Sequence, residues 1–338
     1  MVLLALMACG APQDDAVVEL VYATPYSPNH PFSLADQQWM KFVHDRSGGT
    51  LRIKPNWSGA LLSSEHSMVE LRHGVADIGL ITPIYVKGGA HLIRLQSGFY
   101  SGTTSFEQQV ALYRCMAASS PQFAHELQGL KILAIQGGPL PGIVTTHKPL
   151  HSLDDIQGMR IRAPTELLNV LKRLGADPVN MPMGEVYSAL AKGVLDGVIA
   201  PMDTFRSLHF AEVTHYYAGL IVPRGAYPAR AMSEQRWSLL SPEHRAVLEE
   251  GIAVWEAALA RQTEIALVAG EQAAEAAKIE FTALPAADQT RFDDLYLELA
   301  RGNASSLSRY GIDGLAVFSV ARASVQPDGT VSCRGGSH

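Results

Sequence analysis

Two arginines share one short stretch, "GMRIRAP", at residues 158–164. If the stretch is a strand, Met159 and Ile161 face one side, and Arg160 and Arg162 face the other. Arg162 stands at the carboxyl end, and Pro164 stops the strand just beyond it. In open α/β sheets ligands collect outside the carboxyl ends of strands, and the start of the following helix favours an anion. A guanidinium at that place can hold a carboxylate through two parallel hydrogen bonds. Position alone leaves a second reading open, a surface ion pair worth about 0–1 kcal/mol. Arg160 lies roughly 6.6 Å further back along the strand, and it is read as structural or solvated.

Other chemistry is harder to find. The chain has no GxSxG elbow, no HExxH, no phosphate-cradling GxxxxGK[ST] and no GxGxxG after its first strand. His66 and His73 are seven apart, two helical turns, too far to share a metal. Cys9, Cys115 and Cys333 form no CxxC or zinc-ligand spacing, so neither a structural metal nor a disulfide framework is expected. No cofactor is implied and no enzyme is expected; a hydrolase using Arg162 to hold substrate is the remote alternative. A net charge of −6, with no lysine or arginine run, argues against nucleic acid as a partner.

The elements that must carry Arg162 alternate between strand and helix. "VELVYA" reads as a buried strand and "TPYSPNHPF" as a stiff loop. "SLADQQWMKFVHDRSGG" reads as a helix capped by Ser33 and ended by Gly48 and Gly49. "LRIKPN", "SSEHSMVELRHG" and "DIGLITP" follow as strand, helix and strand. Around the arginines, Ser152 caps "SLDDIQG" with Asp155 three residues on and Gly158 as the stop. "TELLNVLKRLG" and "MGEVYSALAKG" then read as helices, and "DPVNMP" and "LDGVIAP" as strands. This alternation predicts an α/β fold with largely parallel strands. "GVADIGLITP" and "GVLDGVIAP" echo one another at over a hundred residues' separation, which suggests two similarly built lobes.

From about Ser233 the chain becomes rich in alanine and glutamate with helical periodicity, predicting one very long helix or a near-continuous pair. Further helices follow, then a tail at residues 324–338 expected to be flexible. At the other end, "LLALMACG" followed by polar "APQDDA" resembles the end of a bacterial lipoprotein signal, with Cys9 as the residue to be acylated. No lysine or arginine precedes the run, and its apolar core is short for a secretory signal.

The segment "KPLHSLDDIQGMRIRAP", continuing through "LLNVLKRLGADPVNMPMGEVYSALAKGVLDGVIAP", resembles the solute-binding proteins of TRAP transporters, the DctP-like family. The opening "SPNHPFSLADQQWMKFVHDRSGGTLRIKPNWSGALLSSEHSMVELRHGVADIGL" resembles them too, so the likeness runs from about Leu20 to Phe318. It implies a two-lobe periplasmic-binding-protein-like α/β fold with a hinge, and a long C-terminal helix spanning both lobes. The implied division is a leader at residues 1–17, lobe I at 18–142 plus about 224–245, and lobe II at 143–223. Helices packing on both lobes would occupy 246–323. Arg162 maps onto the arginine that holds the ligand carboxylate. A periplasmic location and TRAP membrane permease subunits as partners are likewise implied, with membrane attachment only through a lipid at Cys9. The alternative is an extracytoplasmic sensor that presents its closed state to a signalling receptor.

Departures from the family pattern bear on the ligand. The strand before the lysine-proline, "GGPLPGIVTTHKP", lacks the arginine many relatives have, and "VIAPMDTF" replaces a polar stretch. One arginine with apolar neighbours would leave a second carboxylate or a sugar acid unpartnered, at about 1–3 kcal/mol per buried group. A monocarboxylate with an apolar or aromatic body is therefore expected. Loop positions after strands supply the other candidates: Tyr26, His30, Trp57, Thr82 and Tyr85, with Met202 and Phe205 after the echoing strand.

Overall fold

The structure is a computed structural model and describes residues 17–86 and 88–333. The expectations for the leader, Cys9 among them, fall outside those residues. Strand β1 (Val18–Ala23) pairs in parallel with β2 (Leu51–Asn56) and β3 (Ile78–Leu80). β4 (Leu130–Gln136) and β10 (Tyr227–Ser233) complete a sheet of order β2-β1-β3-β10-β4. The second sheet contains β5 (Gly142–Thr145), β6 (Arg160–Arg162), β7 (Asp177–Val179), β8 (Gly197–Ala200), β9 (Tyr216–Ala218) and β11 (Glu280–Thr282). Its order is β11-β9-β5-β8-β6-β7.

Read from matching edges, β7-β6-β8-β5-β9 repeats β2-β1-β3-β10-β4 position for position. The echoing segments supply β3 and β8, which hold equivalent central places. The expected parallel pairing has two exceptions: β10 runs antiparallel to β3 and β4, and β5 runs antiparallel to β8 and β9. Both are the strands with which the chain enters one lobe from the other. It crosses from β4 to β5 through residues 137–141 and returns from β9 to β10 through residues 219–226. These two crossings are the hinge.

β10 escapes a reading by periodicity because "YPARAMS" carries a proline and an arginine into a sheet interior. Pro228 is tolerated where the pairing with β4 shifts register. Arg230 is fully buried, and its Nε donates to Asp36 Oδ1 at 2.9 Å while Nη1 donates to Gln136 Oε1 at 3.0 Å. Trp255 Nε1 donates to the same Asp36 oxygen at 2.8 Å, and Tyr22 Oη donates to Asp36 Oδ2. One carboxylate thus joins β1, β10, the helix Pro31–Arg46 and the long helix.

The helix Pro31–Arg46 is capped by His30 rather than Ser33. Pro31 can open the helix because its missing N–H would be unpaired there anyway, and His30 Nδ1 accepts from the Phe32 amide at 3.2 Å. The alanine-rich region divides into a short helix, Glu234–Ser238, and a 35-residue helix, Pro242–Ala276, about 52 Å long. Two glycines dock the long helix. A Cβ on Gly251 would lie 2.7 Å from Trp39 Nε1 in lobe I, and one on Gly270 would lie 2.1 Å from the Met202 carbonyl oxygen in lobe II. A second helix, Ala286–Ser306, also spans both lobes, placing Phe292 and Tyr296 in the lobe II core and Ala300 and Ala304 in the lobe I core. Among the described residues no helix is long and apolar enough to cross a membrane.

Two expectations at the C-terminus are overturned. Cys333 is disulfide-bonded to Cys115, with Cα atoms 5.1 Å apart, and Val325 bridges Val331 antiparallel. The tail is therefore fixed as far as Cys333. A separation of 218 residues leaves no local spacing from which the pair could be recognised.

Two outcomes are expected. Replacing both Cys115 and Cys333 by serine should lower stability by about 2–5 kcal/mol in denaturant unfolding; an unchanged midpoint would show that the cross-link does not constrain the chain. Asp36→Ala strands the buried Arg230 charge and should cost about 3–5 kcal/mol, measured the same way.

Candidate functional site

Arg162 ends β6, in register with Val179 of β7 and Val198 of β8. The strand end is not open to solvent: lobe I covers it, and Arg162 is only 4% exposed. Its Nε donates to the Met181 carbonyl at 3.0 Å, and its Nη2 donates to Tyr85 Oη at 2.7 Å. Tyr85 lies on the short turn after β3, so this bond joins the lobes. Thr165 Oγ1 adds a longer one to the Ile84 carbonyl at 3.4 Å. Among the described residues no carboxylate lies within ion-pairing distance of Arg162. Arg160, by contrast, is exposed and paired with Asp177 at 2.7 Å.

A cavity of about 120 Å³ lies between the lobes and the hinge. Tyr26, Thr82 and Tyr85 reach it from lobe I, and Arg162 reaches it from lobe II. Its walls are mainly apolar, with Phe32 and Ile84 facing Leu167, Met183 and Ile199. Thr82 is already engaged, since its hydroxyl donates to the Ser64 carbonyl. His30 stands behind Tyr26, stacked on it at 4.0 Å, and lines a smaller adjoining cavity of about 60 Å³. Burial, aided by Arg230, pushes the His30 imidazole down to about 3, so the ring is neutral and free to cap its helix.

Three sequence candidates lie away from the cavity. Trp57 is half-buried and packs edge-on to Tyr22 at 6.0 Å, against the lobe I core. The Met202 backbone is pressed against Gly270 of the long helix, and its neighbour Pro201 lines the cavity instead. Phe205 is 1% exposed and sits near Tyr217 in the lobe II core. A position after a strand identifies the right end of a sheet but not which side of the loop faces the ligand.

The structure adds Ser97, Glu166, Arg224 and Tyr227. Arg224 corrects the expectation of a single arginine. It comes from the returning hinge segment, and its Nη1 donates to the Pro139 carbonyl of the outgoing one at 3.3 Å. The available signal was an arginine within "VPRGAYP", a proline- and glycine-rich crossover. Two acids lie near it. Burial pushes the Asp203 carboxyl up to about 6 against the pull of Arg224. Burial also raises Glu166, opposed by its own backbone N–H, Ser97, Arg162 and Arg224. Among the described residues no cluster of three or more His, Cys, Asp or Glu side chains could hold a metal.

The profile of the bacterial extracellular solute-binding proteins, family 7 (DctP), matches residues 22–304. A solute-binding protein of Chromohalobacter salexigens is 25% identical over 266 residues, 72% of this chain and 75% of its own. A solved TRAP solute-binding protein from Rhodoferax ferrireducens, in complex with copurified benzoate, superposes with a TM-score of 0.81 at 25% identity. That superposition covers 91% of this chain and 97% of the other. A TRAP periplasmic solute-binding protein from Sulfitobacter with bound β-D-galacturonate shares the fold at 18% identity and a TM-score of 0.73, over 89% of this chain and 99% of its own. With a match of this extent, two lobes joined by two crossings and a long helix laid across both, the chain belongs to the bacterial extracellular solute-binding proteins of family 7, the DctP-like receptors of TRAP transporters.

Proposed function

We propose that this receptor captures a monocarboxylate with an apolar or aromatic body between its lobes and delivers it to a TRAP membrane permease. The observation that carries the reading is Arg162, a buried guanidinium whose hydrogen-bond partners are a carbonyl and a phenol. Leaving one member of a buried ion pair unpaired costs about 3–5 kcal/mol. A ligand carboxylate beside Arg162 relieves that cost in the closed form alone, and a ligand shifts an equilibrium by its differential affinity for the two states.

The cavity supports the apolar body. An apolar hole of about 150 Å³ takes benzene, which is close to the 120 Å³ available here. Sugar hydroxyls against these walls would go unpaired at about 1–3 kcal/mol each. Arg224, the second cation at the cavity, already donates its Nη1 to the Pro139 carbonyl. The benzoate held by the Rhodoferax ferrireducens protein is a ligand of the same class. As part of the same reading, Cys9 is acylated and tethers the receptor to a membrane.

In a thermal-shift screen, an aromatic or branched monocarboxylate at about a hundred times its Kd should add roughly 2.7 kcal/mol of stability. The matching amide and dicarboxylates should add none; equal responses to acid and amide would remove the carboxylate clamp. Arg162→Ala should abolish binding while circular dichroism stays native, and Arg162→Lys should weaken it sharply because an ammonium lacks the fork geometry. For the anchor, membrane-fraction recovery of the full chain should be lost in Cys9→Ser; undiminished recovery would count against acylation.

A further inference from the structure

The cavity of about 120 Å³ and the adjoining one of about 60 Å³ have five lining residues in common, Tyr26, Phe32, Met183, Pro201 and Arg224. Those five form the partition between them. Four are held in place by their neighbours. Tyr26 stacks on His30 at 4.0 Å and meets Phe32 edge-on at 5.5 Å, and Phe32 meets the His30 ring at 4.9 Å. The Pro201 carbonyl accepts from the Thr204 hydroxyl at 2.6 Å. The Arg224 guanidinium lies against Gly138, where a Cβ would collide with it, and its Nη1 is bound to the Pro139 carbonyl. Met183 differs from all of these. It opens the helix Met183–Ala191 and is half-buried against the lobe II core, and its unbranched side chain carries no strongly polar group that would fix it.

Behind the partition lies more space than the roughly 10–15 Å³ that one water needs. The polar groups around it are largely engaged with each other. Thr204 and Thr263 donate to the Pro201 and Leu259 carbonyls, Ser207 donates to Asp203 Oδ2 at 3.2 Å, and His30 Nδ1 accepts from the Phe32 amide. Pro139, Leu208 and the Met183 side chain itself supply an apolar lining. We propose that Met183 sets the upper size of the ligand body, by closing the ligand cavity against the smaller one, so that shortening its side chain opens a subsite for an alkyl extension. The inference rests on the proposed function, with Arg162 holding the carboxylate. A Met183 that served only to pack lobe II would affect every acid alike, whereas a partition changes their order.

The test is calorimetric titration of the intact protein with benzoate, 3-phenylpropanoate, 4-phenylbutanoate and the 3- and 4-propylbenzoates, so that the body grows both at its spacer and on its ring. In Met183→Ala at least one enlarged acid should gain about tenfold or more relative to benzoate, since a methylene that finds an apolar pocket is worth about that much. Met183→Val, a milder truncation, should shift the order the same way. Met183→Leu, which nearly conserves volume, should leave the order within about threefold of wild type. Leu208 lines the smaller cavity alone, so adding Leu208→Phe to Met183→Ala should cancel the gain. An order unchanged in both truncations, an equal loss for all the acids, or a gain that survives Leu208→Phe would overturn the assignment. Any of these, with binding still lost in Arg162→Ala, would leave the proposed function standing. No binding of any carboxylate by wild type would overturn both.

Discussion

A cation taken out of water with no ion-paired carboxylate among the described residues is the constraint on which this molecule turns. The sheet of lobe II brings Arg162 to its carboxyl edge, and lobe I covers it with a tyrosine hydroxyl rather than a carboxylate. Hydrogen bonds to neutral acceptors orient a guanidinium but do not cancel its charge. The lobes therefore meet over a guanidinium that is held in place by neutral hydrogen-bond acceptors.

Arg230 shows the opposite treatment of the same residue type. It is equally hidden, but Asp36 neutralises it, and Tyr22 and Trp255 satisfy the rest of that carboxylate. That cluster fixes the strand on which the chain returns to lobe I, just beyond the segment carrying Arg224. One arginine is ion-paired inside the protein; the other has a carbonyl and a phenol as its hydrogen-bond partners. The aromatic stack of Tyr26 on His30 links the two regions, since His30 feels the field of Arg230 and Tyr26 lines the cavity.

Much of this was legible in local sequence. β1 and β2 have the bounds their alternation suggests, and β3 and β8 stand at the echoing segments. Arg162 could be singled out because a strand end, a proline and a helix start coincide within a few residues. Less was legible where the cause is long-range. β10 hides a buried charge whose partner is 194 residues away. Arg224 enters the cavity because two hinge segments run side by side, a relation that no window of sequence contains. Met202 and Phe205 lie off the cavity: the Met202 backbone packs against the long helix at Gly270, and Phe205 is buried in the lobe II core.

The bond between Cys115 and Cys333 closes a covalent ring in which all of lobe II, both hinge crossings and the long helix are contained. Lobe II is thus a loop thrown out from lobe I and fastened at both ends. A single backbone cut anywhere within that ring leaves one molecule, because the two pieces stay joined through sulfur. Outside the cytoplasm, where disulfides persist and exposed loop tips are the preferred sites of proteolytic nicking, a receptor of this form can be cut once in a surface loop within the ring and keep its two lobes in one covalent molecule.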